Sequence, residues 1–373
     1  GAGTGGQALL TVGTPTAIGN NGRITVGGFS FVTAEGTGGD SFEGGTGTGG
    51  FVGISARQGT LLLDQTFATA DGFGGYGQFG GAGGGAIGGG IEVVANSAIE
   101  GAGQFTINNL VADATAFGGF GGDAQTAGQT GGAGGFANGG SILIAGSAGN
   151  GRLQIASVNA SAGGVGGGGG AGTFGGAGGG ASGGAVQIGT ISGLDTGSVN
   201  TGSANYGAIF ANAVGTAGNG GDGDATVGSG GAGGDATGGG TILLVRGSPV
   251  SISGAATFVA HALGGTGGAG ATLGNGGNAV VGSNLSTTQI AGTALVITNR
   301  FQQAAQRGSL TVGGDLTFSA FASGGAGSVA GTSRLSGDVV DIEVVNSTLS
   351  ATNLALFAEA DTVEPNPCRP SCR

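Results

Sequence analysis

The sequence predicts an all-β chain wound as a parallel β-helix, a β-solenoid with glycine-rich, polyproline II-like arms inserted in each repeat of about 46 residues. Three observations predict it. A ten-residue phrase recurs as GGAGGGAIGG at 80–89, GGAGGFANGG at 131–140, GGAGGGASGG at 175–184 and GGAGGDATGG at 230–239, with a frayed copy, GGAGATLGNGG, at 267–277. A short β-branched run follows each copy. An alternating apolar series precedes each glycine tract.

The runs after the phrase are Ile91-Glu92-Val93-Val94, Ser141-Ile142-Leu143-Ile144, Ala185-Val186-Gln187-Ile188, Thr241-Ile242-Leu243-Leu244-Val245 and Ala279-Val280-Val281. Bounded by glycine, they read as strands. The alternating series are Phe105, Ile107, Leu110, Ala112, Ala114 and Ala116 in one copy, and Leu153, Ile155, Val158, Ala160 and Ala162 in the next. Both step by two, skip one residue and resume, as a strand does when it bends yet keeps one side inward. Leu310, Val312, Leu316, Phe318 and Ala320 follow the same plan around Gly313-Gly314. The closing glycines Gly72, Gly118, Gly163, Gly218 and Gly264 set the expected period, with one insertion. Units of this size bury an apolar face only by stacking on one another, which gives a solenoid. A sandwich of hairpins is the rival fold, but it needs no near-identical phrase at a fixed period.

The glycine tracts have a phase of three. Glycines stand at 163, 166, 169, 172, 175 and 178, and at 119, 122, 128, 131, 134 and 140 in another copy. Three residues make one turn of a polyproline II helix, and glycine at each turn lets such helices touch backbone to backbone. Arms leaving and rejoining the solenoid would then stack beside it. The other reading is a flexible glycine linker. A linker needs neither this phase nor Phe73, Phe79, Phe117, Phe120, Phe136 and Phe174 placed along the tracts, and these six are the expected assembly residues.

Residues 1–293 are thus expected to form the solenoid with arms, 294–362 further coils without full glycine arms, and 363–373 a Pro/Cys tail. Residues 294–309 hold the one expected helix, with Asn299 as N-cap for Arg300 to Arg307. Because it begins at Gly1 rather than Met, the chain is expected to be a processed product or a piece of something longer.

Composition narrows the function. The chain has 100 glycines in 373 residues, 8% charged residues and a formal charge of −11, all nine basic residues being Arg. That charge repels phosphate, so no nucleic-acid partner is expected. Without Lys there is no Schiff-base chemistry and no P-loop. One histidine, His261, and two cysteines near one end make neither a zinc site nor a Ser-His-Asp set, and no cofactor, metal or enzymatic activity is expected. His261 alternates with the apolar Phe258, Ala260 and Ala262 and is read as solvent-facing. Asp222 and Asp224 hint weakly at a calcium-binding glycine-aspartate repeat that needs several tandem copies. Asp40, Asp71, Asp123 and Asp235 are read as solubilising. No apolar run approaches the length that crosses a bilayer. Cys368 and Cys372 suit a small disulfide loop in an oxidising setting, a link between subunits, or a tail without a partner.

The phrases GSLTVGGDLTFSA at 308–320 and LSGDVVDIEVVNSTLSATNLALFA at 335–357 resemble repeats of filamentous-haemagglutinin-type exoproteins. The likeness covers the strand segments, about half the chain, and the glycine arms are an addition to that family's pattern. It implies a β-helical adhesin exported to the bacterial surface with an outer-membrane secretion partner. It also implies a role for Cys368 and Cys372 as a cell anchor. The expected function is a structural subunit of an extracellular surface fibre that joins its own copies head to tail. The alternative is a monomeric, cell-anchored adhesin rod that binds surfaces or glycans. An ice-binding module comes third, since no regular Thr-x-Thr ladder is present.

Overall fold

The β-branched runs and the alternating series come together as three parallel sheets. In the computed structural model, which describes residues 1–13, 22–57, 59–95, 103–147, 151–191, 203–282, 292–298, 308–345 and 347–361, the chain winds through eight stacked coils. Every strand pairing among these residues is parallel. One coil shows the plan. The short strand Ala86–Ile87 enters the first sheet, Gly90–Ala95 the second, and Gln104–Asp113 with Ala116–Phe117 the third. The glycine tract then leads out and back to Ala137–Asn138, which opens the next coil. The first coil consists of Gly3–Thr4, Gln7–Val12, Arg23–Thr33 and Gly36–Thr37, and the last of Ser333–Ser336, Val340–Val345 and Thr348–Asp361.

Register follows the apolar series. Leu61, Phe105, Leu153 and Ala204 form one inward column, and Leu63, Ile107, Ile155 and Tyr206 the next. All eight are buried. The skipped residue is a bend shared by successive coils, where Asn108 Nδ2 donates to Asp64 Oδ1 at 2.8 Å. At Gly313-Gly314 the same bend shifts the register between Val312 and Asp315. Phe258 and Phe318, both fully buried, stack at 5.1 Å between ring centroids. Tyr206 is buried too, and its hydroxyl is satisfied by the Gly189 carbonyl at 3.3 Å.

The tracts are packed arms rather than loose linkers. Gly118 N donates to Val165 O (2.8 Å) in the coil ahead, Gly119 N to Gly84 O (2.9 Å) in the coil behind, and Gly121 N to Gly168 O (2.9 Å). The return leg closes on its own outgoing leg, with Gly132 N donating to Gly122 O and Gly135 N to Gly119 O, both at 2.8 Å. Such contact leaves no room for a side chain: a Cβ on Gly119 would collide with the Gly75 carbonyl. Glycine abundance here is a demand for space.

One expectation is corrected. Gly72 pairs with Ala116, Ala116 with Gly164, Gly164 with Gly215, and Gly215 with Ala262, so the glycines at 118, 163, 218 and 264 are not its equivalents. The step between partners varies because the arms lie outside the coil and can lengthen without disturbing it. The segment 294–309 opens in a strand, ahead of the expected N-cap Asn299: Gly292–Thr298 pairs with Gly240–Arg246 on one side and Val340–Val345 on the other. Its β-branched Val296, Ile297 and Thr298 suit a sheet better than a helix. Asn299 and 300–307 lie outside the described residues, as does the 363–373 tail. The expected boundary at 293/294 falls within this strand.

Candidate assembly surfaces

A solenoid must end twice, and both ends here are apolar in section. At the last coil Leu349, Ala351, Leu354 and Leu356 continue the inward columns of Leu310, Val312, Leu316 and Phe318. With no coil beyond them among the described residues, Leu354 is 46% and Leu356 50% exposed, whereas Leu316 and Phe318 are fully buried. In the second sheet Val340 and Ile342 are partly exposed and Val344 is 40% exposed in the same way. At the first coil the matching columns carry Ala8, Leu10 and Val12, then Ile24, Val26, Ser30 and Val32. The outer strands at each end, Arg23–Thr33 and Thr348–Asp361, each have one unpaired edge.

The structure brings three of the six expected phenylalanines together. Phe73 and Phe117, register partners, stack at 5.3 Å with rings 5° apart in plane. Three residues further out, Phe120 stacks on Tyr76 at 5.7 Å and 7°. Between these two ridges runs an open cleft of about 650 Å³, lined also by Thr37, Asp40, Val165 and the backbone of Gly38, Gly74 and Gly118. Tyr76 and Asp40 were not among the expected assembly residues; the phase of three that places Tyr76 after Phe73 was the available signal. Phe136 sits on a return leg over Gly85. Phe79 lies exposed at an arm turn with φ 52°, an uncommon conformation for a bulky side chain, and Phe174 pairs with Thr130 near another turn. Phe29 and Phe31, also unexpected, are exposed on the outer face of the first coil and pack on Phe67.

The aspartates do more than solubilise. Along an arm two of three N–H groups reach neighbouring carbonyls, and the third faces outward. Asp40 Oδ1 accepts the N–H of Tyr76 (2.7 Å), Asp123 that of Ala171 (2.7 Å), Asp222 that of Ala269 (2.9 Å) and Asp235 that of Asn278 (2.7 Å). Each carboxylate thus ties one arm to the next. Asp224 instead closes its own turn, and the bond it accepts from the Thr226 hydroxyl, then those from Thr226 N and Val227 N, hold its carboxyl below the usual range. The calcium hint therefore meets two carboxylates already turned to backbone donors. Among the described residues no three His, Cys, Asp or Glu side chains gather as metal ligands.

Asp71 stands apart because it is buried where the third sheet turns into the arm. Burial, then the neighbouring Asp113 and Glu35 carboxylates, push it up to about 7, against the pull of the Thr115 N–H at 2.8 Å. His261 faces outward, half-buried against the edge of the Phe321 ring, with Nε2 3.1 Å from Ser319 Oγ. Its burial lowers its pKa. Cys368 and Cys372 lie outside the described residues. No helix among the described residues is long and apolar enough to cross a membrane.

No protein-family model, curated protein or solved structure matches the chain.

Proposed function

We propose that the chain is a structural subunit of an extracellular fibre at a bacterial surface, adding copies of itself head to tail through the ends of its solenoid, with no enzymatic activity of its own. The observation that carries this reading is the match between the two ends. Continuing each column into a second copy sets Leu349 on Ile24, Ala351 on Val26, Leu354 on Ser30 and Leu356 on Val32. In the second sheet it sets Val340 on Ala8, Ile342 on Leu10 and Val344 on Val12. Open strand edges pair with whatever offers a complementary edge. A contact between two different surfaces of one molecule propagates into a filament. One pair opposes the joint: Glu359 would fall in the column of Glu35.

The glycine arms, read as polyproline II segments from their phase of three and their two-in-three hydrogen bonding, would widen and stiffen the fibre. The resemblance of the strand repeats to filamentous-haemagglutinin-type exoproteins supports a surface location. Static light scattering against concentration tests the proposal. The wild-type chain is expected to polymerise, and Leu356→Arg, which buries an unpaired charge in the joint, to raise the critical concentration at least about a hundredfold, roughly 2.7 kcal/mol. Monodisperse rods at every concentration would favour the monomeric adhesin instead.

A further inference from the structure

The aromatic cleft is confined to the first coils. Its inner wall is the column Thr37, Phe73, Phe117 and Val165, and beyond it the same column continues through Thr216, Leu263 and Ser323 to Asp361. Asp361 is the last residue described, and Thr362-Val363-Glu364-Pro365-Asn366-Pro367-Cys368-Arg369-Pro370-Ser371-Cys372-Arg373 follow it. In a head-to-tail stack Asp361 of one copy therefore arrives one strand spacing from Thr37 of the next, at the mouth of that copy's cleft.

We propose that the cleft of each copy holds the 362–373 tail of the copy stacked against it, laid in as a polyproline II segment. The inference rests on the head-to-tail reading. Three of the five prolines of the chain are in this tail, and Pro367, Pro370 and Arg373 are spaced by three, which puts them on one face of such a helix. Proline-rich segments dock between aromatic ridges because they are already extended and lose little entropy on binding. The ridges here stand three residues apart along the arms, and Tyr76 and Phe120 are 53% and 54% exposed. Charge agrees: the tail carries Arg369 and Arg373 against one Glu364, while the cleft carries Asp40, with Glu43 following three residues beyond it.

Distance favours the neighbouring copy. At about 4.8 Å per coil, the cleft spans roughly 5–20 Å from Asp361 of the stacked copy. Its own tail would have to run back over four to seven coils, roughly 19–34 Å, along a column that has lost its aromatic wall. Twelve residues at about 3.1 Å each reach roughly 37 Å, so the path into the next copy leaves slack and closes a shorter loop.

A fluorescein-labelled peptide of residues 362–373, with both cysteines replaced by serine, titrated into the full chain held below its polymerisation threshold, tests this. Saturable binding is expected, weakened at least about tenfold by Tyr76→Ala with Phe120→Ala and less strongly by Asp40→Asn or added salt. Both aromatic side chains are exposed, so their truncation leaves the core intact, and a circular dichroism spectrum checks that. No binding, or binding unchanged by the paired truncation, overturns the proposal. If the peptide binds only chains whose own tail carries Pro367→Ala and Pro370→Ala, the cleft is filled from within one chain and the second-copy assignment falls. Filaments without peptide binding would overturn the tail proposal alone; peptide binding with no filament at any concentration would overturn the stacking on which it rests.

Discussion

Replacing Gly167 or its neighbour Gly168 by alanine separates packed arms from free linkers, because only packed arms make the two positions differ. In a free linker the freedom lost is the same in the folded and the unfolded chain, so either change leaves stability within about 0.5 kcal/mol of the wild type. In the structure Gly167 faces the arm behind it, and a Cβ there would collide with the Gly119 carbonyl oxygen, lying 2.6 Å from the carbonyl carbon and 2.9 Å from Gly118 O. Relaxing that to a normal separation moves one backbone by about 1 Å within a layer fixed on both sides, which costs about 1–3 kcal/mol. Gly168 faces outward, where a Cβ would press on the Phe120 ring at 3.1 Å, which can swing aside, and make an ordinary contact with Asn219 O at 3.8 Å. So Gly167→Ala destabilises and Gly168→Ala does not. A stacked repeat need not unfold in one step, so the assay is native-state hydrogen exchange. For Gly167→Ala, a cost of about 2 kcal/mol appears as roughly thirtyfold faster exchange at the arm amides of Gly119 and Gly135, bonded to Gly84 O and Gly119 O. Equal protection in both variants, or slower exchange in Gly167→Ala, would refute close packing of the arms.

Asp71→Asn is expected to stabilise the chain above neutrality and to be nearly silent in acid. The carboxyl of Asp71 has its pKa raised from 3.8 to about 7, so its contribution is fully present below 3.8 and is lost as pH rises through about 7. After allowance for solvent screening the gain at pH 8 is about 1–2 kcal/mol, read from urea midpoints at about pH 3 and pH 8. A gain of the same size at both pH values would place the effect elsewhere. Phe318→Ala, deep in the core and stacked on Phe258, should cost about 3–5 kcal/mol by the same titration, and a loss below about 1 kcal/mol would contradict its burial. Asp235→Ala removes the acceptor for Asn278 N and Nδ2, and should raise exchange at Asn278 a few-fold while leaving the core amides unchanged.

Much of the coil was legible in the sequence because inward columns impose a period of two that survives bends: Phe105, Ile107, Leu110 and Ala112 read as one face and are one face. The spacing between coils was less legible. Arms differ in length, so Gly72 finds Ala116 and not Gly118, and no local pattern announces which glycine closes a strand. The strand at Gly292–Thr298 rests on the β-branched Val296, Ile297 and Thr298, which stand just ahead of the Gln- and Ala-rich residues where a helix was expected. The roles of Asp40, Asp123 and Asp235 were hidden because each donor they accept from is 36 to 48 residues away in sequence and adjacent only after stacking. For the same reason Phe73, Phe117, Phe120 and Tyr76 could be noted singly but not seen as two ridges of one cleft.

Cryo-electron microscopy of native, cell-derived material, imaged with and without reductant, tests head-to-tail continuation most directly. Eight coils at about 4.8 Å predict a filament with an unbroken 4.8 Å rise and a subunit repeat of about 38 Å, each Thr348–Asp361 strand pairing with Arg23–Thr33 of the next copy. Fragmentation by reductant would assign Cys368 and Cys372 to the joints. Short single rods, or filaments whose density shows these two strands unpaired with each other, would contradict the account.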